Sequence, residues 1–74
     1  MALVPVKADI AGSIWKITSS VGDRVNADDV LVIMESMKME LQVTAPEPGT
    51  VKEIHVNEAD MVQEGDTIVT IETA

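Results

Sequence analysis

Residues 3 to 36 overlie residues 40 to 73 without a gap, at a constant offset of 37 (residue 3 on 40, residue 36 on 73). Val6 meets Val43, Ala8 meets Ala45, Gly12 meets Gly49 and Ile17 meets Ile54; further along, Asp23 meets Asp60, Val25 meets Val62, Asp29 meets Asp66, Val32 meets Val69 and Glu35 meets Glu72. Identities at both ends and in the middle of the unit mean that one motif is written twice. The two copies must fold alike, so the expected assembly relates them by a pseudo-twofold axis.

Each copy reads as strands. The runs Leu3 to Ala8, Ser13 to Ser19, Val30 to Glu35, Met39 to Thr44, Thr50 to Val56 and Thr67 to Glu72 are rich in Val, Ile and Thr. Arg24-Val25 and Met61-Val62 add one brief strand per copy. Between them lie Gly22-Asp23, Ala27-Asp28-Asp29, Pro46-Glu47-Pro48-Gly49 and Glu64-Gly65-Asp66, turn formers that leave no room for a long helix. Four strands cannot cover their own apolar face, whereas two equivalent halves can bury both. The expectation is one all-β domain over residues 1–74: a flattened eight-stranded barrel or sandwich of two pseudo-twofold-related four-stranded halves, a barrel-sandwich hybrid. Val51, Ile54 and Val56 cannot share one face of a regular strand, which calls for a bulge or coil near them. Trp15 has Lys52 as its counterpart, so this sole aromatic residue is expected to face outward.

Seventy-four residues with no cysteine provide neither a disulfide nor a thiolate metal site. A chain of this size suits a carrier or binding module better than a complete enzyme, whose pocket needs walls several layers thick. Net charge is −8 at pH 7, which opposes nonspecific attraction to nucleic acid and to anionic membranes. Met1 to Ile10 carries Pro5, Lys7 and Asp9 rather than the apolar core of a secretory signal, and no apolar run is long enough to span a bilayer. The expected location is cytoplasmic, with no nucleic-acid or membrane partner.

Glu35-Ser36-Met37-Lys38-Met39-Glu40 stands between the halves, with the apolar runs Val30 to Met34 and Leu41 to Val43 on either side. So few residues can reverse the chain only as a tight hairpin turning at Met37-Lys38, which pushes the Lys38 amine into solvent. Lysines on turns are ordinarily just solvated, and methionines ordinarily fill space; two of them flanking a tip lysine are better explained by recognition. Glu35 repeats as Glu72 in the other copy, so part of its role is structural, and its carboxylate is expected to hold the hairpin through a backbone hydrogen bond. His55 has no companion at catalytic or metal-binding spacing and reads as a surface residue. Gly22, Gly49 and Gly65 sit at strand ends, where positive φ is the expected reason for glycine.

Glu-Ser-Met-Lys-Met, preceded by an apolar strand and set between two copies of a V-x-V-x-A, three residues, G pattern, the second of which begins with Leu41 in place of Val, resembles the biotinyl attachment domains of biotin-dependent carboxylases, of the kind without a protruding thumb. The resemblance covers nearly the whole chain and leaves 36 residues after Lys38. It implies a non-catalytic carrier. A biotin protein ligase activates biotin as an adenylate, the Lys38 amine forms an amide with it, and the mobile arm then moves a carboxyl group between biotin carboxylase and carboxyltransferase sites. Met37, Met39, Glu35, Ser36 and Glu40 are the residues it implies for recognition by ligase or carboxylase, and biotin, covalently bound, is the implied cofactor. As part of a larger carboxylase the domain would share that protein's location, an organelle lumen included, and the partner's active site would choose the acceptor substrate.

Three departures are visible. Ser36 stands where these domains more often carry Ala; Asp9 replaces a proline after Ala8; Asp28 and Ala59 occupy places where glycine is common, so altered turns are expected there. Lipoyl domains share the fold and the hairpin lysine, but theirs is typically preceded by Asp and followed by Ala. An unmodified docking barrel is the remaining alternative; it would have no use for an exposed Met-Lys-Met.

Overall fold

The computed structural model describes residues 2–73. Eight strands follow in order: β1 (Ala2–Lys7), β2 (Gly12–Ile17), β3 (Arg24–Val25), β4 (Val30–Ser36), β5 (Met39–Thr44), β6 (Gly49–Ile54), β7 (Met61–Val62) and β8 (Thr67–Thr73). They form two four-stranded sheets, ordered β1-β8-β6-β3 and β5-β4-β2-β7, with every pairing antiparallel. Replacing each strand by its counterpart one repeat away, β1 by β5, β8 by β4, β6 by β2 and β3 by β7, turns the first order into the second, so the pseudo-twofold axis exchanges the sheets.

The registers obey the same rule. Ala2 pairs with Thr73 and Leu3 with Glu72; 37 positions on, Met39 pairs with Ser36 and Glu40 with Glu35. The expected eight-stranded, twofold-related architecture is therefore present, but neither copy makes a sheet of its own. Each sheet takes two strands from each copy, so the halves are interlaced rather than stacked.

Four turns perform the interlacing. In each of Ser20–Asp23, Asn26–Asp29, Asn57–Asp60 and Gln63–Asp66 the fourth residue donates its N–H to the carbonyl of the first. The aspartate carboxylate then accepts the first residue's N–H at 2.8–2.9 Å. The third residue is left-handed in all four: Gly22, Asp28, Ala59 and Gly65 have φ of 97°, 72°, 75° and 90°, as a type II turn requires. Each turn reaches into the other copy, Gly22 N donating to Val51 O, Asp28 N to Ala45 O, Ala59 N to Ile14 O and Gly65 N to Ala8 O. The altered turns expected at Asp28 and Ala59 do not occur. Those two residues keep the glycine conformation because the cross-copy bonds allow no other, at a cost that falls harder on Ala than on Asp.

The core is correspondingly symmetric. Ile14 and Val51, Leu31 and Ile68, Val32 and Val69, Met34 and Ile71 are fully buried pairs one repeat apart, with Ala8 and Ala45 beside them. The bulge called for near Val51 lies between Val51 and Glu53, and its counterpart between Ile14 and Lys16. Lys52 and Trp15 are the residues put out of register, which lets Val51 and Ile54 both pack inward and leaves the Trp15 ring 50% exposed, as its pairing with Lys52 predicts. Gly49 is a correction: it does not have positive φ. A Cβ there would lie 2.6 Å from the backbone oxygen of Glu72, so glycine is needed for close approach. Gly22 and Gly65 do have the expected positive φ. His55 is an exposed residue that bonds through Nε2 to Thr70 Oγ1 at 2.7 Å, with Glu53 4.0 Å from Nδ1, tying the end of β6 to β8.

Candidate functional site

Ser36 and Met39 are the last paired residues of the β4–β5 hairpin, so only Met37 and Lys38 make the loop. Their φ values are 53° and 64°, the double left-handed geometry of a type I′ turn, whose twist matches that of the flanking strands. Asn-Gly adopts it most easily; two L-residues with long side chains give up roughly 1 kcal/mol or more apiece. Strain of this kind persists where the surroundings over-determine the backbone.

Those surroundings are Gly12, the first residue of β2, and Ala11 just before it. Ser36 Oγ donates to the carbonyl of Ala11 at 2.9 Å, anchoring the last residue before the turn. Next to it, a Cβ on Gly12 would stand 2.6 Å from Glu35 O and 3.2 Å from Ser36 Cβ, so the absence of a side chain lets β2 press against the hairpin stem. Ala11 and Gly12 are thus supports that residue-type reasoning missed. Gly12 repeating as Gly49 while Glu35 repeats as Glu72 was the available signal, since one close approach made twice needs both glycines and both partners.

The residues expected at the site come together at the tip. Lys38 is exposed, Met37 is 86% and Met39 60% exposed, and Glu40 and Glu35 face each other as the next pair down the stem. Neither methionine covers the end of the barrel; the methionine that does fill the core is Met34. The backbone hydrogen bond expected of Glu35 is absent among the described residues: its side chain is exposed, and the hairpin is held by Ser36 and the β4–β5 ladder. Ser36 accommodates the tight stem as its size predicts and adds a bond that alanine could not make. No ion pair joins Lys38 to either carboxylate among the described residues. The arrangement can present one primary amine, free on all sides but its stem, at the end of a stiff β-ribbon.

A family model described as "Biotin-requiring enzyme", of the biotin/lipoyl type, matches residues 4–71. The chain is 42% identical to the "Biotinylated protein TB7.3 homolog" of Mycobacterium leprae over 66 residues, 89% of this chain and 93% of that protein. It is 41% identical to pyruvate carboxylase of Bacillus subtilis over 69 residues, which is 93% of this chain but only 6% of the enzyme. Among solved structures, the Kluyveromyces lactis urea carboxylase contains a region that superimposes with a TM-score of 0.92 at 35% identity, covering 97% of this chain and 6% of that one. With a tip lysine on an interlaced eight-stranded scaffold, and these matches over nearly its whole length, the chain belongs to the biotin/lipoyl attachment family of biotin-requiring enzymes.

Proposed function

We propose that the chain is a biotin carboxyl carrier and that Lys38 is its attachment point. The observation that carries this reading is the left-handed Met37-Lys38 turn, which projects the amine beyond the last pair of the hairpin between two exposed methionines. The family match supports biotin as the cofactor. Met-Lys-Met, rather than Asp-Lys-Ala, favours biotin over lipoate.

A biotin protein ligase supplies the activated acyl group. The Lys38 amine must give up a proton in the ligase site before its lone pair attacks the carbonyl carbon of biotinyl adenylate. The C–N bond forms, the C–O bond to phosphate breaks, AMP leaves, and one positive charge disappears from the tip. The chain's own contribution is the nucleophile and its placement; the acid, base and metal chemistry belongs to the partner enzymes. Biotin carboxylase then loads the ureido ring and carboxyltransferase unloads it. A tether of this length keeps the ring at roughly millimolar effective concentration near both sites. The stiff turn beneath it confines the freedom of motion to the arm.

Intact mass spectrometry after co-expression with a biotin protein ligase is the direct test. The parent gains the mass of one biotinyl group and Lys38→Ala gains none. Addition of a lipoyl group instead, or of biotin to the Lys38→Ala chain, would overturn the reading.

A further inference from the structure

The pseudo-twofold axis supplies an internal control for the stem below Lys38, because the Ser36–Met39 and Glu35–Glu40 pairs have the Ala2–Thr73 and Leu3–Glu72 pairs as counterparts. One row of directly opposed residues crosses the sheet of β5, β4, β2 and β7: Glu40, Glu35, Ser13 and Met61. Its counterpart in the other sheet is Leu3, Glu72, Thr50 and Arg24. Residues opposed across an antiparallel ladder share a face, and the ends of both rows are exposed, so each row lies on its sheet's outer surface. The inner two members repeat in kind. The outer two do not: Leu3 becomes Glu40, and Arg24 becomes Met61.

Neither change serves the isolated domain. Leu3 sets an apolar side chain opposite Glu72, whereas Glu40 sets a carboxylate opposite Glu35, and like charges directly opposed destabilise a sheet. No ion pair reaches either carboxylate among the described residues. At the far end of the row, a methionine 73% exposed replaces an arginine on an edge strand. We infer that this row, running about 14 Å across three strand spacings beside Lys38, is the docking strip for the protein that acylates Lys38. Its complement on that protein is basic opposite β5 and β4 and offers an apolar socket opposite β7.

This rests on the carrier reading of Lys38 and adds Met61 and Ser13 to the residues at the tip. The ligase, rather than the carboxylase, is the occupant because it must hold a short, unmodified amine in line with an activated carbonyl, which requires grip on the rigid sheet next to the turn. A carboxylase needs only the end of a long mobile arm. Opposed charge along the strip steers encounter and fixes register, and an exposed methionine adapts to an apolar socket.

Glu40→Leu and Met61→Arg install the residues that the fold already carries at the equivalent places, so both variants should fold, which urea unfolding verifies. Initial rates of biotin transfer by a purified biotin protein ligase, with biotin and ATP, are measured against carrier concentration at low and high salt. Each variant should raise the KM for carrier about fivefold, the effect of losing one useful interface contact, with kcat little changed. Glu40→Leu should also flatten the salt dependence. Glu47→Leu, the same charge change off the strip, and Arg24→Met at the other end should match the parent. Parent-like KM in both strip variants, or equal rises in the two controls, would overturn the docking strip while leaving the carrier reading intact. A parent that accepts no biotin at all would sink both.

Discussion

Gly12→Ala and Gly49→Ala insert the same methyl group at positions one repeat apart, yet they should differ in what they damage. In each case the new Cβ is built 2.6 Å from a backbone oxygen, that of Glu35 or of Glu72. Cβ contacts in proteins essentially never fall below 3.0 Å, and the obstacle is backbone rather than the end of a flexible side chain. Two strands must move apart by roughly half an ångström, and overpacking of this kind typically costs about 1–3 kcal/mol. At about 0.05–0.15 kcal/mol per residue a domain this size has some 4–11 kcal/mol to lose, so both variants remain folded and both urea midpoints fall by similar amounts. Their effect on modification diverges. Gly12 lies under the stem that carries Met37-Lys38 and next to Ala11, whose carbonyl holds Ser36; its displacement moves the amine. A misplacement approaching 1 Å can cost up to about a hundredfold in rate, so kcat/KM for biotin transfer should drop roughly tenfold in Gly12→Ala. Gly49→Ala should leave it nearly unchanged, since Gly49 abuts Glu72 beside the Ala2–Thr73 pair. Equal loss of transfer in both variants would show that general loosening, not support of the hairpin, governs the amine. No loss of stability in either would refute the close-approach reasoning itself.

Other consequences follow from the turns and the bulge. Ala59→Gly should raise stability by about 1 kcal/mol by relieving a left-handed alanine, and Asp28→Gly by less because aspartate tolerates that region better, both read from urea midpoints. Asp60→Ala removes the carboxylate that accepts the Asn57 N–H at 2.9 Å and should cost about 1 kcal/mol; an unchanged midpoint would show that the clamp is dispensable. Trp15, out of register at its bulge, should be quenched by acrylamide almost as well in the native state as in urea, whereas strong native protection would place the ring inside.

Much of this fold is legible in the residues because the chain states its plan twice. Val32 and Val69, or Ala8 and Ala45, are buried in pairs because one environment occurs twice. A two-residue loop between Ser36 and Met39 leaves Lys38 nowhere to go but out. The fate of Glu35 was not legible: a carboxylate three residues before the lysine looks like a hairpin clasp, yet the small hydroxyl of Ser36, facing Ala11 across to β2, was better placed to make that bond. Gly49 was illegible for a related reason. Glycine at a strand end signals positive φ or close approach equally well, and only the position of Glu72 on the neighbouring strand separates the two.

By itself the amino-acid sequence determined the duplication, the strand content, the reversal at Met37-Lys38 and the outward Trp15, all of which rest on local pattern and on the equivalence of two copies. Only the tertiary structure decided which strands share a sheet. A repeat specifies that β1 and β5 have equivalent neighbours but not whether those neighbours come from their own copy, because strand pairing is made between backbones and carries no record of chain distance. The interlacing then imposed what no local preference would choose: left-handed φ on Ala59 and Asp28, whose N–H groups bond to Ile14 and Ala45, segments far away in the chain.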